Sequence, residues 1–234
     1  MFQKFLRFFS KAADRERIIL RRITRILDLL RRDNLTILDD GTGQGLIARG
    51  LATRGFIIGI DQIPNFVKAK NKLETAQFLI AVGEFLPFKP ESFDVIISQM
   101  VLEHVFNVEK YLKEINFVLK EKGFVYLALP NRLFPIEPHT GIPIIPYLPH
   151  GSFQKIVNAK MGKEYPLNYL TYKILNIISK VGFKKIQDLV LSFLKNSDQF
   201  YPSIPLFLCQ LLAKAYGITR FFIPTWIWLL EKTT

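Results

Sequence analysis

Leu35-Thr36-Ile37-Leu38-Asp39-Asp40-Gly41-Thr42-Gly43-Gln44-Gly45 decides how this chain is read. A short apolar run leads into two carboxylates. Three glycines at alternate positions follow, and a new apolar stretch starts at Leu46. The pattern predicts a buried strand, a tight turn and a helix. Glycine is needed where the backbone takes a positive φ or where another group approaches closely. Three of them after a buried strand predict a ligand lying against bare backbone, at the sheet edge where open α/β sheets bind their ligands.

Two ligand types compete for this turn. A dinucleotide site has the spacing G-x-G-x-x-G. Gly41 and Gly43 fit it, but the third position is Leu46 and Gly45 comes one residue early. A pyrophosphate also favours backbone N–H groups with no negative charge nearby, whereas Asp39 and Asp40 precede this turn. A ligand carrying an ammonium and a sulfonium gains from a carboxylate there. The stretch Leu38–Gly45 resembles motif I of the class I S-adenosylmethionine-dependent methyltransferases. The resemblance implies a Rossmann-like α/β fold: a seven-stranded, mostly parallel sheet with an antiparallel last strand and helices on both faces. It also implies S-adenosylmethionine as methyl donor and S-adenosylhomocysteine as product. A glycine-rich turn without a ligand is the plainer alternative.

Further motifs extend the resemblance over roughly residues 35 to 131. Phe56–Asp61 reads as a second strand ending in an acid, 20 positions after Gly41. That is the spacing at which a carboxylate reaches a ribose diol in βαβ nucleotide sites. The resemblance gives Asp61 that role, with Gln62 beside it. Gly83-Glu84-Phe85-Leu86-Pro87-Phe88 resembles the family's adenine-side segment. The acid often found there is replaced by Val82, so Gly83, Glu84 and Phe85 are carried over as adenine neighbours. A fourth strand, Ser92–Ser98, enters Gln99-Met100-Val101-Leu102-Glu103-His104, and Ser98 and Met100 complete the expected donor set. That set is Asp39, Gly41, Thr42, Gly43, Gly45, Asp61, Gln62, Gly83, Glu84, Phe85, Ser98 and Met100.

The remaining pattern predicts helices over Leu46–Arg54, Pro64–Thr75, Asn107–Glu121 and Leu167–Val181. It predicts strands over Gln77–Val82, Phe124–Leu129, Lys185–Leu191 and Thr225–Glu231. Strand and helix alternate, as in a parallel sheet. The expected organisation is a basic amphipathic helical region over 1–34 and a methyltransferase domain over 35–234. Within the domain lie a substrate loop at 132–166 and an apolar insertion at 197–222.

The chain has 234 residues, a formal net charge of +12, one cysteine and three histidines. The charge favours anionic partners. Between Ala12 and Arg32 an apolar face (Ile19, Ile23, Ile26, Leu27, Leu30) alternates with Arg21, Arg22, Arg25, Arg31 and Arg32. An exposed arginine face beside the aromatic N-terminus suits an anionic membrane surface, and a nucleic-acid partner is less favoured. Cys209 is alone, which excludes an internal disulfide and suits a reducing compartment. No Cys/His cluster with metal-ligand spacing occurs, so no metal is expected. There is no apolar run of membrane-spanning length. The expected location is the cytoplasm, peripheral to a membrane at most. Oligomeric state is not legible.

Methyl transfer to oxygen benefits from a base near neutral pH. His104 follows strand four and His139 follows strand five, so both are expected near the donor. Glu137 stands two residues before His139 and is the candidate orienter. The proline-studded loop Arg132–Phe153 forbids a long regular element and is expected to form the acceptor wall. Ser98-Gln99-Met100-Val101 is not the N-P-P-Y of amino-methylating DNA enzymes, and Cys209 stands late for cytosine-C5 chemistry. The expectation is O-methylation of a small, hydrophobic or lipid-like acceptor, and resemblance to the ubiquinone/menaquinone-type and type 11 methyltransferases points the same way. The alternatives are a silent S-adenosylmethionine-binding module, an RNA methyltransferase and, remotely, an NAD-dependent oxidoreductase.

Overall fold

The computed structural model describes residues 12–30, 34–63, 75–168, 170–195, 206–220 and 223–233. The expected helix from Pro64, the aromatic and basic segment 1–11, Arg31, Arg32 and the first part of the apolar insertion lie outside the described residues. Strands β1 (Leu35–Asp40), β2 (Gly55–Asp61), β3 (Ala76–Ile80), β4 (Phe93–Gln99), β5 (Leu119–Pro130), β6 (Phe183–Asp188) and β7 (Thr225–Lys232) form a sheet in the order β3-β2-β1-β4-β5-β7-β6. β1 to β5 are parallel, and β7 lies antiparallel between β5 and β6. The chain steps from β1 to β2 on one side and resumes with β4 on the other. This reversal makes a crevice at the carboxyl ends of β1 and β4, the place where such sheets bind ligands.

The apolar runs sort by parity, because successive strand side chains face opposite sides. Ile37, Val95, Ile97, Tyr126 and Ile227 enter one core cluster. Leu38, Ile96, Val125, Leu127 and Trp228 enter the other. Helices cover both faces. On the first side lie α1 (Ala12–Leu30), α2 (Leu46–Gly50), α6 (Leu189–Lys195), α7 (Leu206–Lys214) and α8 (Tyr216–Thr219). On the second lie α3 (Val108–Val118) and α5 (Ile174–Lys180). A small third cluster joins Ile145, Phe153, Val157 and Leu167 around α4 (His150–Met161).

α1 belongs to the main core. Ile23, Ile26 and Leu27 are buried with Leu35, Ala48 and Leu51, each contributing roughly 1.5–3 kcal/mol. Arg21 and Arg25 are exposed as expected. Arg22 is not: it is 8% exposed, with its guanidinium 5.0 Å over the Phe193 ring. The stem of a long cation packs on apolar surface more readily than a uniform arginine face implies.

Other boundaries also differ. The helix after the glycine turn ends at Gly50, not Arg54. α3 ends at Val118, and Leu119 opens β5. The four residues Lys120–Gly123 bulge out between the Phe93–Leu119 and Val95–Phe124 pairs, with Lys122 at φ 57°. The expected helix from Leu167 opens only at Ile174 among the described residues. Leu189–Leu191 belong to a helix, not to the sixth strand. The proline-rich segment holds a 12-residue helix, opened by Pro149, and a short 3-10 turn at Ile145–Tyr147. The apolar insertion is divided. Cys209 is buried, while Leu206, Phe207 and Leu211 are more than half exposed. Among the described residues no helix is long and apolar enough to cross a membrane.

Candidate active site

The glycine turn is tied to the end of β2. Gly41 and Thr42 donate their N–H groups to the Ile60 carbonyl at 3.0 and 2.9 Å. Gly43 donates to Asp61 Oδ2, and Ile63 to Oδ1, both at 2.9 Å. Asp61, the expected ribose partner, thus braces the turn, a duty invisible in spacing alone. Gly41, Gly43 and Gly45 have φ of 75°, 54° and 75°. No heavy atom lies within 4 Å of where a Cβ on Gly43 would stand. Bare backbone therefore faces open space beside a carboxylate, and the residues fit an S-adenosylmethionine-type ligand. Gln62 is exposed beside Asp61.

The surroundings are rich in carboxyl groups. Asp39 is 1% exposed and accepts from Thr42 Oγ1 at 2.6 Å. Burial pushes its carboxyl up to about 6, against the hydrogen bonds from Thr42 and Ala48. Asp40, the second carboxylate of β1, is 4% exposed. Its Oδ2 has no hydrogen-bond partner. Burial, with Asp39, Asp61 and Glu84 nearby, pushes it up to about 7 despite the stabilising Tyr111 hydroxyl. Asp40 therefore turns toward α3 and the second core, at a cost in stability. This acidic surround favours a cationic donor and disfavours a pyrophosphate.

The adenine-side residues divide. Glu84 Oε1 accepts the Phe106 N–H at 2.6 Å, so one of its oxygens is already occupied. Gly83 is closed over by the Tyr111 ring. Phe85 is 66% exposed, with Lys110 Nζ 3.0 Å above its ring. Ser98 is wholly buried, and its hydroxyl pairs with Tyr111 at 2.7 Å. The structure therefore puts Ser98 beneath the site, because its parity in β4 turns it toward α3.

Met100 takes a left-handed φ of 58° immediately after β4, an uncommon conformation that tends to cluster at ligand sites. It turns the chain through Val101–His104. Asn168, absent from the sequence expectations, fastens this turn. Its N–H donates to the Glu103 carbonyl at 2.6 Å and its side-chain amide to the carbonyls of Leu102 and Val105.

His104 and His139 come together with ring centroids 5.2 Å apart, and Tyr165 lies 5.3 and 5.5 Å from the two rings. Burial and the neighbouring His139 push His104 below the usual histidine range. His139 sits in a tight turn, Glu137-Pro138-His139-Thr140-Gly141, closed by Gly141 N–H to the Glu137 carbonyl at 2.8 Å. The Glu137 carboxylate folds inside. It meets His139 Nδ1 at 2.7 Å and accepts the N–H groups of His139 at 3.0 Å and Thr140 at 2.5 Å. Burial alone would raise Glu137, but these donors outweigh it and hold it below the usual carboxylate range.

Glu103 was not singled out in the sequence. It is 1% exposed, and no other residue gives either carboxylate oxygen a hydrogen bond. Burial pushes it up to about 7, partly offset by its own backbone N–H and by His139. Glu103, His104 and His139 present ligand-type atoms all within 4.8 Å of one another. Sequence spacing did not show this grouping. The three are scattered in sequence, and only the fold gathers them.

A strand-terminal glycine turn with an acid at the next strand end, on a sheet of this order, fits an S-adenosylmethionine-dependent methyltransferase, and the comparisons agree. Residues 38–127 match the family model described as a methyltransferase domain. The chain is 28% identical to a ubiquinone biosynthesis O-methyltransferase of Bartonella tribocorum over 180 residues, 72% of this chain and 71% of that protein. It is 32% identical to a protein of the same name from Pelagibacter ubique over 106 residues, 42% of this chain and 43% of the relative. Its fold is similar to that of an S-adenosylmethionine-dependent methyltransferase from Mesorhizobium loti, with a TM-score of 0.62 at 18% identity, covering 89% and 96% of the two chains.

Proposed function

We propose that this methyltransferase transfers its methyl group to a hydroxyl of a small, hydrophobic or lipid-like acceptor. The observation that carries this reading is the His139 ring, held at Nδ1 by buried Glu137 and set beside His104 and Glu103 at the carboxyl edge of the sheet. With Nδ1 engaged as the donor to Glu137, Nε2 is left as a proton acceptor. An acceptor hydroxyl meeting this cluster gives up its proton to His139 as its oxygen becomes nucleophilic. Gly41, Thr42, Gly43, Asp39 and Asp61 would hold S-adenosylmethionine, which would supply the activated methyl for the acceptor oxygen. The 132–166 segment walls the acceptor side, and its buried Phe153, with the neighbouring Leu167, lines a small cavity there. The ubiquinone O-methyltransferase relatives support a hydroxylated ring as the acceptor type.

Purified protein with methyl-labelled donor should transfer label to oxygen of catechol or phenol acceptors, with higher kcat/KM when these carry an apolar tail. Label on nitrogen or carbon, or indifference to the tail, would contradict this reading.

We also place the protein in the cytoplasm, peripheral to an anionic membrane, on the basic and aromatic sequence 1–11 and the exposed Leu206, Phe207, Leu211 and Ile218. Liposome flotation should weaken when residues 1–11 are removed. Equal flotation would remove that segment from the proposal.

A further inference from the structure

We propose that Asn168 is a positioning residue for methyl transfer: it ties the acceptor wall to the turn after β4 and so sets the spacing between acceptor and donor. The inference rests on the reading of residues 132–166 as the acceptor wall.

After Met100 the chain leaves the sheet, and the carbonyls of the next turn have no ladder to pair with. Buried carbonyls need a donor. One bond is internal: the His104 N–H donates to the Val101 carbonyl at 2.8 Å. The carbonyls of buried Leu102, Glu103 and Val105 take their donors from Asn168, far along the chain. Its backbone N–H meets the Glu103 carbonyl at 2.6 Å, and its side-chain amide serves the other two. An amide carries two N–H groups on one nitrogen, so asparagine bridges two carbonyls where serine serves one and alanine none.

Both ends of this tie lead to the site. On the donor side, Val101 lies in the same turn, and its Cγ2 fills the space that a Cβ on Gly41 would need. The turn after β4 therefore packs on the glycine turn. On the acceptor side, Asn168 ends a strap that starts at Tyr165 and is fastened to α4. Gln154 donates to the Tyr165 carbonyl at 2.6 Å and accepts the Leu167 N–H at 3.3 Å, and Asn158 accepts the Tyr165 N–H at 3.0 Å. Leu167 and Asn168 line the same small cavity as Glu103 and Phe153.

The strap also holds a histidine. The Pro166 carbonyl accepts from the His104 ring, and the Tyr165 ring packs 5.3 and 5.5 Å from His104 and His139. Loss of the Asn168 amide loosens the turn that carries His104. Gly41, Thr42 and Gly43 keep their own bonds to Ile60 and Asp61. Donor binding and acceptor placement are therefore separable. A misplacement of about 1 Å between reacting groups costs on the order of 100-fold in rate, so the effect belongs in kcat.

The test compares full-length wild type with Asn168→Ala and Asn168→Ser. The chain has three histidines, so their ring resonances can be titrated by NMR with no acceptor present. Burial, then the neighbouring His139, holds His104 below the usual histidine range. In Asn168→Ala its titration should move up toward that range, because relief of burial outweighs a weakened bond to Pro166, while the exposed His150 stays as in wild type. On a hydroxylated acceptor, Asn168→Ala should lose about 10–100-fold in kcat with KM and S-adenosylhomocysteine affinity near wild type. Asn168→Ser, which keeps one donor, should show the same changes in smaller measure, and it carries the test if the alanine variant does not fold. An unmoved His104 titration, or a kcat loss matched by an equal loss of S-adenosylhomocysteine affinity, would overturn the proposal. A moved titration in protein whose wild type transfers no methyl to oxygen keeps the tie and removes the hydroxyl-acceptor reading.

Discussion

His139 Nδ1 lies 2.7 Å from Glu137 Oε1, in a turn where the same carboxylate accepts the backbone N–H groups of His139 and Thr140. One buried acid thus sets the loop's shape and the ring's tautomer together. Glu137→Gln keeps the size but removes the charge and half the acceptor capacity. It is expected to lower kcat about 10–100-fold, as for other groups that orient a working histidine, and to leave S-adenosylhomocysteine affinity within about twofold. Steady-state kinetics beside calorimetry checks this. An unchanged kcat would show that Glu137 shapes the loop only.

Asp61 braces Gly43 at 2.9 Å and stands where the ribose is expected. Asp61→Ala should weaken S-adenosylhomocysteine binding by about 1–3 kcal/mol, the loss of a hydrogen-bonded partner. Equal affinity in calorimetry would move the ribose elsewhere.

Gly83 carries no side chain because the Tyr111 ring occupies that space, and Asp40 Oδ2 stands 2.9 Å from where a Cβ would be. Gly83→Ala forces Tyr111, itself bonded to Ser98, to shift. The expected destabilisation is about 1–3 kcal/mol, read as a lower urea midpoint. An unchanged midpoint would mean that Tyr111 moves freely.

Asp40 gives a pH signature. Its folded-state carboxyl titrates at about 7 against an ordinary 3.8. The unfolded chain releases this proton from about pH 4, whereas the folded chain holds it to about pH 7, so Asp40 removes stability as pH rises through that window and no more above it. Asp40→Asn should therefore match wild type near pH 4 and exceed it near pH 8, by up to about 4 kcal/mol. Urea unfolding at the two pH values measures the difference. A constant difference would show that Asp40 is ionised and satisfied in the fold.

Strand period and glycine punctuation made β1, β2, β4, β5 and β7 legible, because each carries a mostly buried apolar stretch. Periodicity failed at Leu189–Leu191, where a short apolar run suits strand and helix equally. It failed at Lys120–Gly123, where a bulge follows the helix directly. α4 was hidden by Pro149, which reads as a loop residue yet is well placed to open a helix. The pairing of Glu137 with His139 was local and therefore readable. The roles of Glu103 and Asn168 were not, because each depends on a partner far along the chain. Ser98 matched a family position, but its parity in β4 directs it to Tyr111.

Methyl transfer to oxygen by His139→Gln, measured beside S-adenosylhomocysteine affinity, bears most directly on the proposed chemistry. As proton acceptor, His139 stands on the acceptor side and not on the donor turn. The variant should bind S-adenosylhomocysteine as wild type does and lose about 100-fold or more in kcat on a hydroxylated acceptor. Wild-type kcat in a folded variant would contradict it and place the acceptor away from the Glu103–His104–His139 cluster.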